Sequence, residues 1–160
     1  METAPLSRVQ LTNGRGAQLT GVLASPLGST RACAVMPPAF GHRIRTARCS
    51  PPSSTASALP PLRFDLSNHP GLSEGVLTAL TLTSMAGDVL AAVDAAGDLG
   101  WGLDEIVVIA PGMTGRAAIR ALSLPVPAAG LVLLAPVADI RASVAGLAGI
   151  DHWGAGSPAR

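Results

Sequence analysis

At 160 residues the chain is long enough to bury a sizeable core as one domain, and 48% hydrophobic against 13% charged residues excludes a chain disordered throughout. A net charge of +1 with no basic block excludes the electrostatic footprint of a nucleic-acid binder. All eleven cationic residues are arginine, which together with abundant Ala, Gly and Pro reflects a GC-rich gene and not a function.

The opening METAPLSRVQLTNGRG holds no continuous apolar stretch that reads as a signal peptide. No apolar run reaches the ~18 residues of a spanning helix, so a cytoplasmic protein without a membrane span is expected. Residues 8–24 read as two short strands around Asn13-Gly14, a pair that supplies the positive φ angles of a tight hairpin. A third strand over 32–36 ends at Pro37-Pro38, and a fourth over 63–66 runs into the polar turn SNHPGLSEG. A helix follows over 83–96, capped by Thr81 or Thr83 and stopped at Gly97, with Leu82, Met85, Val89, Val93 and Ala96 at three- and four-residue steps. Strands over 106–110 and 131–135 are apolar on both faces, as in a buried parallel sheet, with a helix opened by Gly115 between them. A weaker helix begins near Arg141.

Strands alternating with helices point to an α/β fold: a three-layer, mostly parallel sheet opened by an N-terminal antiparallel hairpin, with right-handed crossovers. Residues 1–160 are expected to form this single domain, with a flexible tail over 152–160. The segment 42–62 does not suit the crossover helix its position requires. Pro51-Pro52 and Pro60-Pro61 interrupt it, each interior proline costing a helix about 3 kcal/mol. Its Arg/Ser/Pro mixture is also what a shifted reading frame produces in GC-rich DNA. Cys33 and Cys49 read as free thiols with no third ligand nearby, so no metal and no cofactor is expected.

The stretch VVIAPGMTGRAAIRAL carries the chemistry-bearing pattern. Gly112-Met113-Thr114-Gly115-Arg116 has the form of a nucleophile elbow, G-x-S-x-G, with Thr114 in the serine position and Arg116 for the last glycine. Such a turn lifts one hydroxyl above the strand ends, holds it at positive φ, and offers backbone donors to an oxyanion. The alternative is a glycine-rich bend in which Thr114 only caps the helix. A phosphate or dinucleotide site is a weaker fit, since Gly112-x-x-Gly115 lacks the G-x-G-x-x-G pattern.

The segment RFDLSNHPGLSEG adds Arg63-Phe64-Asp65, His69, Gly71-Leu72-Ser73 and Gly75. Arg116 then follows the elbow, and Asp139-Ile140-Arg141 follows the next strand. In these features the chain resembles, over residues 30–151, the acyltransferase of bacterial luciferase operons. That family is an acyl-carrier-protein thioesterase of the α/β-hydrolase superfamily, which supplies fatty acid for the aldehyde of bioluminescence and has an S-x-S-x-R elbow. The resemblance implies a partial α/β-hydrolase fold and a fatty acyl thioester, on acyl carrier protein or coenzyme A, as partner. It implies Thr114 at the nucleophile position and an oxyanion hole from the backbone N–H of Gly115 and of Ala39 or Phe40.

The acid and histidine of such a triad follow the nucleophile. The acids after Thr114 are Asp139 and Asp151 and the histidine is His152, so Asp139 with His152 is the local acid/base candidate. The threonine at the elbow, the proline-broken crossover and the missing second half together point to a truncated or degraded relative with weak or no activity. The alternative is a non-catalytic remnant or binding module that self-associates through an exposed sheet edge. Asp65 is expected to fix its turn through backbone N–H groups, and His69 to line an acyl pocket or bond the loop after its strand. Arg63 and Arg116 are expected to be structural partners.

Overall fold

The computed structural model describes residues 5–25, 30–42, 44, 59–123, 128–139 and 142. The bulk of the 42–62 segment, the helix expected from Arg141 and the tail with Asp151 and His152 lie outside the described residues, as does Cys49. The elements run β1 (Leu6–Thr12), β2 (Gln18–Ala24), β3 (Cys33–Met36), β4 (Pro61–Phe64), α1 (Leu82–Asp98), β5 (Ile106–Pro111), α2 (Thr114–Leu122) and β6 (Gly130–Leu134). They build one six-stranded sheet in the order β1-β2-β4-β3-β5-β6. β1, β2 and β4 pair antiparallel, and β4, β3, β5 and β6 run parallel.

Several local details differ from the sequence expectation. The hairpin has no two-residue Asn-Gly turn, because Thr12 pairs with Gln18 and leaves 13–17 as the loop. The left-handed residue is Gly16 (φ 82°), and Asn13 Oδ1 closes the loop by accepting from the Arg15 and Ala17 N–H groups, each at 3.0 Å. β4 starts two residues early, at Pro61, since the first position of a strand tolerates a residue without an N–H. Gly97 lies inside α1. The helix ends on Gly100 (φ 106°), whose N–H reaches Gly97 O at 2.9 Å while Trp101 N–H reaches Ala96 O at 3.2 Å. At the other end Thr81 is the cap: Thr81 Oγ1 accepts from Ser84 N–H at 3.0 Å and Ser84 Oγ from Thr81 N–H at 2.9 Å.

The apolar stripe of α1, with Met85, Val89, Ala92, Val93 and Ala96, buries against Val35, Leu62, Phe64 and Ile106 of the sheet. Each aliphatic side chain so buried stabilises the fold by roughly 1.5–3 kcal/mol. α2 packs on α1 and β5 through Ala117, Ala118 and Ala121, whose small size allows close approach. β6 departs from the expected buried strand. It is an edge strand, with Val132 45% and Leu134 47% exposed, because among the described residues nothing pairs with its outer side.

Two carboxylates are buried among the described residues, Asp65 and Asp88. Asp88 falls on the buried face of α1 and is fully buried. It accepts from Asn13 Nδ2 at 2.7 Å and from Ser67 N–H at 2.8 Å, and the Ser67 hydroxyl lies 2.8 and 3.0 Å from its two oxygens. The network ties the hairpin loop and the turn after β4 to the helix.

Candidate functional site

The chain moves outward from β3 to β4 and then crosses back to β5, so the direction of travel reverses between β3 and β5. Connections leave the carboxyl ends of these two strands in opposite directions and open a crevice there. The elbow and the loop after β3 both lie at this point.

The elbow is built as a strand, a bend and a helix, as the sequence suggests, but its apex is Gly112. Gly112 alone in the turn has positive φ (54°), while Met113 (φ −68°, ψ −29°) is already in the helical region as the N-cap of α2. Thr114 is the first helical residue, fully buried, and its hydroxyl donates to Pro111 O at 2.6 Å. This differs from the raised, open threonine expected, for a steric reason: a β-branched residue is strained at positive φ and glycine is not. The Gly115 N–H, expected as an oxyanion donor, is directed inward to Gly112 O at 3.2 Å. Gly115 has a packing role, since a Cβ there would stand 3.2 Å from Leu133 Cδ2 and 3.5 Å from Ala110 O.

The loop after β3 is held from the turn after β4. Asp65, 1% exposed, accepts from Ile44 N–H at 2.7 Å and from Leu72 N–H at 2.9 Å, the turn-fixing role expected of it. His69 Nε2 accepts from Gly41 N–H at 2.9 Å, so the neutral ring carries its proton on Nδ1. The ring thus ties its turn to the loop after β3.

Two cavities flank the elbow. One, of about 160 Å³, is lined by Met36 to Ala39 at the end of β3, Arg63 and Phe64 on β4, Pro111 on β5 and Leu134 on β6. The other, of about 400 Å³, lies between Phe40, Leu80 before α1, Leu82 and Met85 at its start, and Met113. The structure therefore brings Ala39, Phe40 and the elbow together at one crevice. Asp139 is exposed beyond β6, and its Oδ1 accepts from Ala142 N–H at 3.2 Å. Arg116 Nη1 donates to Ala138 O at 3.0 Å and ties α2 to the same loop. Sequence reasoning missed Gly112 as the apex and Asp88 as a buried acceptor. The second was findable, because position 88 shares a helix face with Met85, Val89 and Ala92.

No family model matches the sequence, and no curated protein matches it. Solved structures do match. The alpha/beta hydrolase GrgF from Penicillium sp. sh18 is similar at 19% identity and a TM-score of 0.73, over 91% of this chain and 53% of that one. An esterase of Pyrococcus furiosus is similar at 21% identity and 0.72, over 91% and 58%. A hypothetical protein from Pseudomonas aeruginosa is similar at 20% and 0.70, over 86% and 44%. The chain spans about half the length of these solved structures. Six strands in this order, a bend at the carboxyl end of β5 and two packed helices make the architecture a partial α/β-hydrolase fold.

Proposed function

We propose that this chain binds acyl esters or thioesters at the crevice beside Gly112 and does not cleave them. The observation that carries the proposal is the elbow apex: its residue has no side chain, and the hydroxyl of the turn, Thr114, is buried and bonded to Pro111 O. Nucleophilic catalysis needs an oxygen or sulfur within reach of the carbonyl carbon, with a base beside it. The turn offers neither. Its remaining features suit a carbonyl group. With Gly115 N–H directed inward, the amide after the apex, Met113, is the elbow donor, and Ala39 or Phe40 supplies a second from the facing loop. The apolar walls on both sides suit a hydrocarbon chain.

The thioester preference rests on the resemblance to the luciferase-operon acyltransferase, whose chemistry becomes ligand recognition here. The test is incubation of the purified chain with octanoyl coenzyme A. Saturable binding, no thioester loss above the buffer rate and no mass adduct are expected. An acyl adduct mapped to Thr114 would restore the transferase reading, and absence of saturable binding to octanoyl, butyryl and lauroyl thioesters would remove the ligand assignment.

A further inference from the structure

The loop after β3 is described over residues 37–42 and at 44. Phe40, Gly41 and His42 are exposed, Gly41 takes a φ of 81°, and His42 N–H closes the bend on Ala39 O at 2.9 Å. Two side chains from the turn after β4 reach across to it: Asp65 takes the Ile44 N–H and His69 the Gly41 N–H. The His69 ring also stands edge-on to Phe40, with centroids 5.6 Å apart and planes at 62°. The ring is buried, at 5% exposure. Phe40 faces the larger cavity and Ala39 the smaller, so this bend forms a wall of both.

We propose that His69 is a positioning residue for the acyl-binding crevice. By accepting the Gly41 N–H it sets where Ala39 and Phe40 stand relative to the elbow, and with them the width of both cavities and the aim of the loop amides. The inference rests on the binding role proposed above. The chemical requirement is an acceptor at the reach of Nε2, which a glutamine carboxamide supplies and a leucine does not.

The full chain is compared as wild type, His69→Gln and His69→Leu. Hydrogen exchange of the Gly41 amide is followed by NMR without ligand, and octanoyl coenzyme A affinity by calorimetry. His69→Leu is expected to speed Gly41 exchange about tenfold and to weaken binding about tenfold, as befits one lost hydrogen bond. His69→Gln is expected to restore both, which a purely steric role for the ring would not do. If His69→Leu fails to fold, His69→Asn, whose acceptor falls short of Gly41, takes its place. Unchanged Gly41 exchange, faster exchange with unaltered affinity, or no rescue by glutamine each overturns the positioning role. If the wild type binds no thioester, the ligand assignment fails, and Gly41 exchange still decides whether His69 holds the loop.

Discussion

Replacing Asp88 by alanine removes the acceptor around which the hairpin loop, the turn after β4 and α1 are joined. The loss can be worked from the bonds. Ser67 is fully buried, so its N–H would be left without a partner, at about 1–3 kcal/mol. Asn13 is 4% exposed and would lose a 2.7 Å bond to a carboxylate, about 1.5 kcal/mol more. The sum, roughly 2.5–4.5 kcal/mol, is a large part of the 5–15 kcal/mol that holds an ordinary domain. In urea, with a slope near 2 kcal/mol/M, the midpoint should fall by about 1.2–2.3 M with the slope unchanged. Asp88→Asn keeps the shape but turns an NH₂ toward a donor, and should lose about 2 kcal/mol. A double-mutant cycle with Asn13→Ala should give a coupling of about 1 kcal/mol. If Asp88→Ala loses less than about 1 kcal/mol, the network is not a determinant of stability and the reasoning fails.

Three glycines should respond to alanine in different directions, read as unfolding free energies. At Gly71 a Cβ would lie 2.5 Å from Asp65 Cγ, so the carboxylate must leave Ile44 and Leu72, at a loss of about 2 kcal/mol or more. At Gly87, inside α1 with nothing within 4 Å, alanine should stabilise by about 0.5–1 kcal/mol. Gly112 has equal room, but its φ of 54° should make alanine cost about 1 kcal/mol, and equal effects at Gly87 and Gly112 would refute the assignment of the apex. Burial pushes the Cys33 thiol up from 9.0 to about 11, opposed by a backbone hydrogen bond from Leu62. Between these values the unfolded chain has released a proton that the folded chain keeps, so this contribution to stability is complete below pH 9 and is lost as pH rises toward 11. The chain has no lysine or tyrosine to titrate in that window. A Cys49→Ser variant should therefore show a urea midpoint falling over it, and Cys33→Ala in that background should abolish the fall. A midpoint flat in both would contradict the burial argument.

Much of the architecture could be read along the chain. The strands at β3, β5 and β6 and both helices lie within two residues or so of their expected places, because runs of apolar residues and three- and four-residue steps are local signals. The hairpin was legible, though its turn was not: Asn13-Gly14 is a turn pair, yet the Asn13 side chain is claimed by Arg15, Ala17 and the distant Asp88. An exposed sheet edge was among the expectations, but not that β6 forms it, since GLVLL has the same apolar content whether one side is paired or both.

The candidate site divides along the same line. By itself the sequence determined that a strand, a glycine-bounded bend and a helix follow one another at residues 106–122, and that a polar turn with Asp65 and His69 precedes them. Only the tertiary structure decided that Gly112 takes the left-handed conformation and that Thr114 is buried. It also decided that His69 reaches the loop after β3. The physical reason is range: periodicity and turn chemistry act over a few neighbouring residues. The hydrogen bonds that hold the bend, Gly112 N–H to Leu134 O and Val137 N–H to Gly112 O, come from β6 and the residues after it, which the fold alone brings alongside.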